Sequence, residues 1–226
     1  MNELPRHIKL LRAMKKRERI RRRVWWLLET DGVATFPFPI FGRVPNFIGA
    51  KEAAMRLSQT EEFKSARCVY CTLDHPLLHV RRLVLQHKKK LATALPKLRG
   101  LIEIDEHRHV DSAASVDGFE RYGKPLQTIV DLFVVGSVAV DRFGNRLGVG
   151  KGFTDLEWMC LYENGLLSAN CKVVTLVHPL QIVDDLAQYA FESDLKVDMI
   201  VTPEEVIRVN GQARRYGWLL RSVSLW

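Results

Sequence analysis

The chain has 226 residues, a mass of 26.0 kDa, and 34 Lys+Arg against 26 Asp+Glu. A composition of 47% hydrophobic and 27% charged residues is globular and excludes wholesale disorder. The longest strongly apolar run, Ile129 to Val140, spans twelve residues and contains Asp131, which is too short to cross a bilayer. The net charge of +8 points towards nucleic acid until it is mapped. Residues 1–23 hold ten basic and two acidic residues, so this segment carries the whole excess and the rest of the chain is formally neutral.

Ile8, Leu11, Ile20, Val24 and Leu27 at helical spacing predict a basic helix over about residues 4–29. No apolar stretch of secretory type follows its charges, and it runs into Val24-Trp25-Trp26-Leu27-Leu28, which reads as core. A cytoplasmic protein is therefore expected. Phe36-Pro37-Phe38-Pro39 predicts an extended linker, because proline fixes φ and disfavours helix before it. Residues 46–59 read as a second helix with Ala50, Ala53, Ala54 and Leu57 on one face. Residues 67–72 read as a strand containing Cys68 and Cys71. Positions i and i+3 of a strand face opposite sides, so this Cys-x-x-Cys is expected to be structural. Four cysteines are also too sparse for a disulfide framework. A helix or turn over 76–89 and a strand over 90–94 follow. Residues 100–128, rich in His, Asp, Ser and Gly, are expected to form a surface excursion in which His107 and His109 are solvated.

The second half is more regular. Strands are expected at 132–140, 172–177 and 197–202, with helices at 155–164 and 187–191. The alternation predicts an α/β fold of three α/β/α layers around a mostly parallel, Rossmann-like sheet. A single domain over residues 1–226 is expected.

The most informative stretch runs from Asp141 to Asp155 and contains Gly144, Gly148, Gly150 and Gly152. It follows a strand and opens a helix. Glycines let backbone N–H groups approach an anion, and a helix N-terminus adds a positive dipole end. Thr154 and Glu157 have capping-box spacing. Arg146 and Lys151 supply cationic donors, and Asp155 a carboxylate suited to Mg²⁺ beside phosphate. Lys151-Gly152 is not the Gly-Lys-Ser/Thr of a Walker loop, and Phe153 replaces the third glycine of a dinucleotide fingerprint. A plain β-hairpin is the other reading.

Gly144-Asn-Arg-Leu-Gly-Val-Gly-Lys-Gly-Phe-Thr-Asp155 resembles the Gly-x-Arg-Leu-Gly-x-Gly-x-Gly-Tyr-Tyr-Asp signature of the 5-formyltetrahydrofolate cyclo-ligase family. Asp194-Leu-Lys-Val-Asp198-Met-Ile-Val-Thr resembles that family's Asp-x-x-Val-Asp-x-Ile-x-Thr segment, and Gln181 sits where the family has a glutamine. Arg43-Val-Pro-Asn-Phe-Ile-Gly-Ala50 and Gly152-Phe-Thr-Asp-Leu-Glu157 resemble most the methenyltetrahydrofolate synthetase domain-containing subgroup. The likeness spans about residues 17–208. It implies ATP- and Mg²⁺-dependent cyclisation of the reduced folate 5-formyltetrahydrofolate to 5,10-methenyltetrahydrofolate. It further implies that Arg146, Leu147, Gly148, Val149, Gly150, Lys151, Gly152, Phe153 and Thr154 wrap the ATP phosphates, with Arg146 and Lys151 catalytic. Arg17 and Arg21 would add an i, i+4 phosphate grip. Gly148, Gly150, Lys151 and Glu52 would meet the folate, and Asp155 and Asp198 would bind Mg²⁺. Phe153-Thr154 departs from the family's tandem tyrosines.

Two other functions fit the sequence. One is a diverged member that binds nucleotide but acts on another substrate. The other is a nucleic-acid-binding protein using the basic helix, disfavoured because the charge stops at residue 23. A monomer or homodimer away from membranes is expected.

Overall fold

The computed structural model describes residues 5–105 and 109–209; His107 lies outside them. The first helix, α1, spans Arg6–Thr30. Two short strands, β1 (Ala34–Thr35) and β2 (Asn46–Phe47), pair antiparallel. The second helix, α2 (Ala50–Ser58), therefore starts four residues later than expected. Between β1 and β2 the Phe36–Pro39 segment bends, in place of the expected extended linker. Then come α3 (Glu61–Ser65), β3 (Cys68–Cys71), α4 (Leu78–Gln86) and β4 (Lys90–Ala94).

The expected surface excursion is in fact folded. It contains β5 (Leu101–Ile104), α5 (Val110–Ala113), α6 (Val116–Tyr122) and β6 (Lys124–Pro125). Ile102, Ile104, Ala113 and Phe119 from this stretch are buried. Its elements are only two to seven residues long, too short to show a period. The chain continues through β7 (Val130–Gly136), β8 (Ala139–Val140), β9 (Arg146–Leu147), α7 (Phe153–Glu163) and β10 (Leu167–Leu176). It closes with β11 (Met199–Val201) and β12 (Val206–Arg208). Residues Ala187–Tyr189 form a 3₁₀ turn in place of the expected helix.

Eight strands form one sheet in the order β12-β11-β10-β7-β3-β4-β5-β6. The five strands from β11 to β4 are mutually parallel, and β12, β5 and β6 are antiparallel additions at the two edges. The interior strands are apolar on both faces, as burial between two helical layers requires. One face packs Val69, Cys71, Leu91, Leu132 and Val134 under α2, α4, α5 and α6. The other packs Tyr70, Phe133, Val135 and Val173 against Trp158 and Leu161 of α7. Cys68 and Cys71 fall on opposite faces, and burial pushes both thiols up to about 12. A third cluster, with Leu28, Ile40, Val138 and Leu147, seats α1 on the β8–β9 hairpin.

Phe133 joins strand to helix on the α7 face: its ring stacks on Tyr70 at 4.6 Å and meets Trp158 edge-on at 5.1 Å. Phe133→Ala is expected to lower stability by about 3–5 kcal/mol through lost transfer energy and the cavity left behind. Urea denaturation measures this as a lower midpoint at unchanged slope.

Candidate active site

The parallel strands β3, β4 and β7 end side by side at Cys71, Ala94 and Gly136. In open α/β sheets ligands settle at this carboxyl edge. A cleft of about 990 Å³ lies there. The strand ends contribute Thr72, Asp74, Ala94 and Gly136, and α1 contributes Met14, Arg17 and Arg21. Residues 148–157 and Phe191, Ser193 and Asp194 complete it.

The glycine stretch divides into two parts. Its first part is a hairpin, with Val140 opposite Arg146 and Ala139 opposite Leu147. Asp141 organises the turn by accepting hydrogen bonds from the backbone N–H groups of Phe143, Asn145 and Leu186. The second part leads into α7, whose N-cap is Gly152 at φ 71°. Glycine takes that left-handed conformation without steric cost. Gly152 therefore supplies the cap, and the expected capping box does not form: no side chain caps the helix. Thr154 lies inside the first turn, and Glu157 lines the cleft.

Two further glycines make room for arginines. A Cβ on Gly148 would lie 2.9 Å from an Arg146 guanidinium nitrogen. One on Gly150, at φ 91°, would lie 3.2 Å from the Arg21 guanidinium. Arg146 is buried; its Nη2 donates to the Gly136 carbonyl at 3.1 Å, and its Nη1 is 3.9 Å from Asp155 Oδ1. The Arg21 Nε donates to the Gly148 carbonyl at 2.7 Å. Arg17 holds Asp194 through two bonds, at 2.7 and 2.9 Å, and lies 4.3 Å from the centre of the Phe191 ring. Lys151 is exposed on the rim.

Acids face these cations. Asp155 Oδ1 accepts from the Leu195 N–H at 2.9 Å. Burial pushes the Asp155 carboxyl up, and Arg146 opposes the rise. Burial pushes Glu157 up to about 8, with the Tyr70 hydroxyl and the charge of Arg146 opposing the rise and the charges of Asp74 and Asp155 adding to it. Asp74 accepts from the Thr72 hydroxyl at 2.6 Å, and a Cβ on Gly136 would fall 2.5 Å from its Oδ2. A side chain at that strand end would have to push the side chains of Asp74 and Val44 aside.

Arg17, Arg21, Arg146, residues 148–154 and Asp155 therefore meet at one cleft. Three other sequence candidates lie elsewhere. Leu147 is buried beneath α1, because its hairpin position points into that packing. Glu52 is exposed in the first turn of α2, away from the cleft lining. Asp198 precedes β11 and lies level with Val173, three residues short of the strand ends, or about 10 Å below them. Its Oδ2 accepts from the Val173 N–H at 2.8 Å, and Lys172 Nζ is 3.9 Å away. Asp194, the other aspartate of that segment, is the one that lines the cleft. The nine-residue motif contained both, and only the strand boundary separates them. Glu157 was visible in sequence as a cap residue; the left-handed Gly152 is what frees it.

The class this arrangement defines is an α/β protein built to bind at its strand ends. Residues 13–203 match the 5-formyltetrahydrofolate cyclo-ligase family, and the chain belongs to it. Methenyltetrahydrofolate synthase domain-containing proteins of Bos taurus and Homo sapiens are similar, each at 37% identity, over 87% and 83% of this chain. Those matches cover 54% and 52% of the relatives, so the chain spans about half their length. The NMR structure of Aquifex aeolicus 5,10-methenyltetrahydrofolate synthetase shares the fold, with a TM-score of 0.55 at 19% identity. It covers 89% of this chain and 97% of that one.

Glu157 generates a pH dependence. A carboxyl raised from 4.5 to about 8 on folding binds more protons in the native state between those values. Its contribution is fully present below the unfolded pKa and is lost as pH rises through the folded one. Urea titrations of wild type and Glu157→Gln are expected to diverge, the wild type losing stability relative to the variant from about pH 4.5 to about pH 8.

Proposed function

We propose that the protein catalyses the ATP- and Mg²⁺-dependent cyclisation of 5-formyltetrahydrofolate to 5,10-methenyltetrahydrofolate. The observation that carries this reading is the convergence, in a member of the cyclo-ligase family, of Arg146, Lys151, the 148–152 loop and the N-terminus of α7 on one cleft. Backbone N–H groups and the helix dipole favour phosphate there. In the reaction the formyl oxygen attacks the γ-phosphorus and ADP leaves. N10 then attacks the formyl carbon and loses its proton, and the carbon–oxygen bond breaks to release phosphate. Such a sequence needs positioning and charge neutralisation more than covalent help from the protein. Arg146 and Lys151 are suited to neutralise the transferring phosphoryl group.

The acids of the cleft suit Mg²⁺. That ion takes one or two carboxylates and completes its shell with water and phosphate oxygens. Among the described residues no group of three or more metal-ligating side chains gathers, which fits such a sparse site. Asp155 and Asp194 both line the cleft, and each feels the charge of Arg17 or Arg146. Bound there, Mg²⁺ would offset the charge of the polyphosphate. Asp155 would hold it, and Asp194 would join once Arg17 turned to phosphate.

Mg·ATP is expected to raise the melting temperature of the wild-type protein, and Asp155→Ala to abolish the rise. Adding 5-formyltetrahydrofolate with Mg·ATP should then generate the near-ultraviolet absorbance of the methenyl product. Stabilisation by Mg·ATP without that absorbance would leave nucleotide binding and remove the folate reaction.

A further inference from the structure

Arg146 owes its direction to a buried chain of hydroxyls. Ser137 follows the last residue of β7 and is buried beside Thr175 of β10. The Thr175 hydroxyl lies 2.9 Å from the Val135 carbonyl, which can only accept. Its proton is therefore committed there. In the 2.8 Å contact between Ser137 Oγ and Thr175 Oγ1 the donor must then be Ser137. The lone pairs of Ser137 Oγ stay open, and one receives the Nε–H of Arg146 at 3.4 Å. Each proton has one place to go, from guanidinium to serine to threonine to backbone, and each bond polarises the next.

The rest of the guanidinium is held as well. Its Nη2 donates to the Gly136 carbonyl at 3.1 Å, and Nη1 faces Asp155 Oδ1 at 3.9 Å. Two committed nitrogens fix the plane of a rigid fork. Ser137 is itself anchored from behind. Gln181, a motif residue that stands outside the cleft lining, is buried and donates through Nε2 to the carbonyls of Ser137 and Val138, at 2.8 and 3.3 Å. Its Oε1 accepts from the His178 N–H at 2.8 Å. Neither Ser137 nor Thr175 lines the cleft, so any effect they have on chemistry passes through Arg146. The strands around them are packed with apolar side chains, and a hydroxyl pair there costs desolvation that an apolar pair would avoid. A fixed guanidinium is what that cost yields.

We infer that Ser137 is a positioning residue: backed by Thr175 and Gln181, its hydroxyl holds the Arg146 guanidinium in the plane that meets the transferring phosphoryl group. This rests on the function proposed above, in which Arg146 neutralises that group. Bound ATP draws on the whole glycine loop and the end of α7, whereas the phosphoryl group in transfer depends on one aligned fork. Alignment therefore shows in turnover more than in affinity.

The test measures methenyl product formation at enzyme excess, so that slow variants are still read, and Mg·ATP affinity by calorimetry, both on the full chain. Ser137→Ala is expected to lower kcat about tenfold or more while changing the Mg·ATP Kd less than about threefold. Thr175→Val, which keeps the shape and removes the hydroxyl, should lower kcat in the same sense. Thr175→Ser, which keeps the hydroxyl and removes a methyl, should stay within about threefold of wild type. In an Arg146→Lys background, which has no Nε fork to align, Ser137→Ala should cost less than about twofold more. Losses that multiply in that double variant would overturn the inference, because Ser137 would then act apart from Arg146. Thr175→Ser as damaging as Thr175→Val would overturn it in favour of packing. An active Ser137→Ala protein with only a lowered melting temperature would overturn it and leave the proposed reaction standing. A wild-type protein that binds Mg·ATP and forms no methenyl product would overturn the proposed reaction and this inference with it.

Discussion

The cleft exists because α1 is held across the strand ends. Arg21 donates to the carbonyl of Gly148, Arg17 clasps Asp194, and Val24, Trp25 and Leu28 are buried on the β8–β9 hairpin. Without these contacts the glycine loop would have no opposite wall. The sequence meets the requirement at both ends. Gly150 leaves the space that the Arg21 guanidinium fills, and a side chain there would adopt an unfavourable φ as well as crowd the arginine. The ion pair is only partly exposed, so its desolvation is offset by two good bonds and the stacking on Phe191.

That placement also explains the charge. Of the ten basic residues in the first 23, Arg17 and Arg21 are buried at the site. Most of the others along α1 are exposed and make a solvated face. The global excess that suggested nucleic acid thus belongs to a helix whose structural work is local.

Much of the fold was legible because its signals are local. The strand at 90–94 and the opposite-facing Cys68 and Cys71 follow from alternation alone. The glycine loop was legible as a site because glycine, cation and acid coincide there. What the sequence hid depended on elements too short to have a period, as between residues 101 and 125, or on where a strand begins. Asp194 and Asp198 are indistinguishable in the motif. Their roles separate only because β11 starts at Met199, so that Asp198 ties down the strand and Asp194 stays in the turn that Arg17 reaches. The capping box failed for a related reason, since a left-handed glycine competes with side-chain caps and leaves no trace in spacing.

The Arg17–Asp194 clasp has a consequence for selectivity. A simple anion that drew Arg17 away would strand a shielded aspartate, so charge attraction alone gives such an ion little advantage. A polyphosphate that carries its own divalent cation offers a replacement to both members of the pair. On the proposed reading the site would respond to the coincidence of two opposite charges, and free phosphate or sulfate would compete poorly however abundant it was.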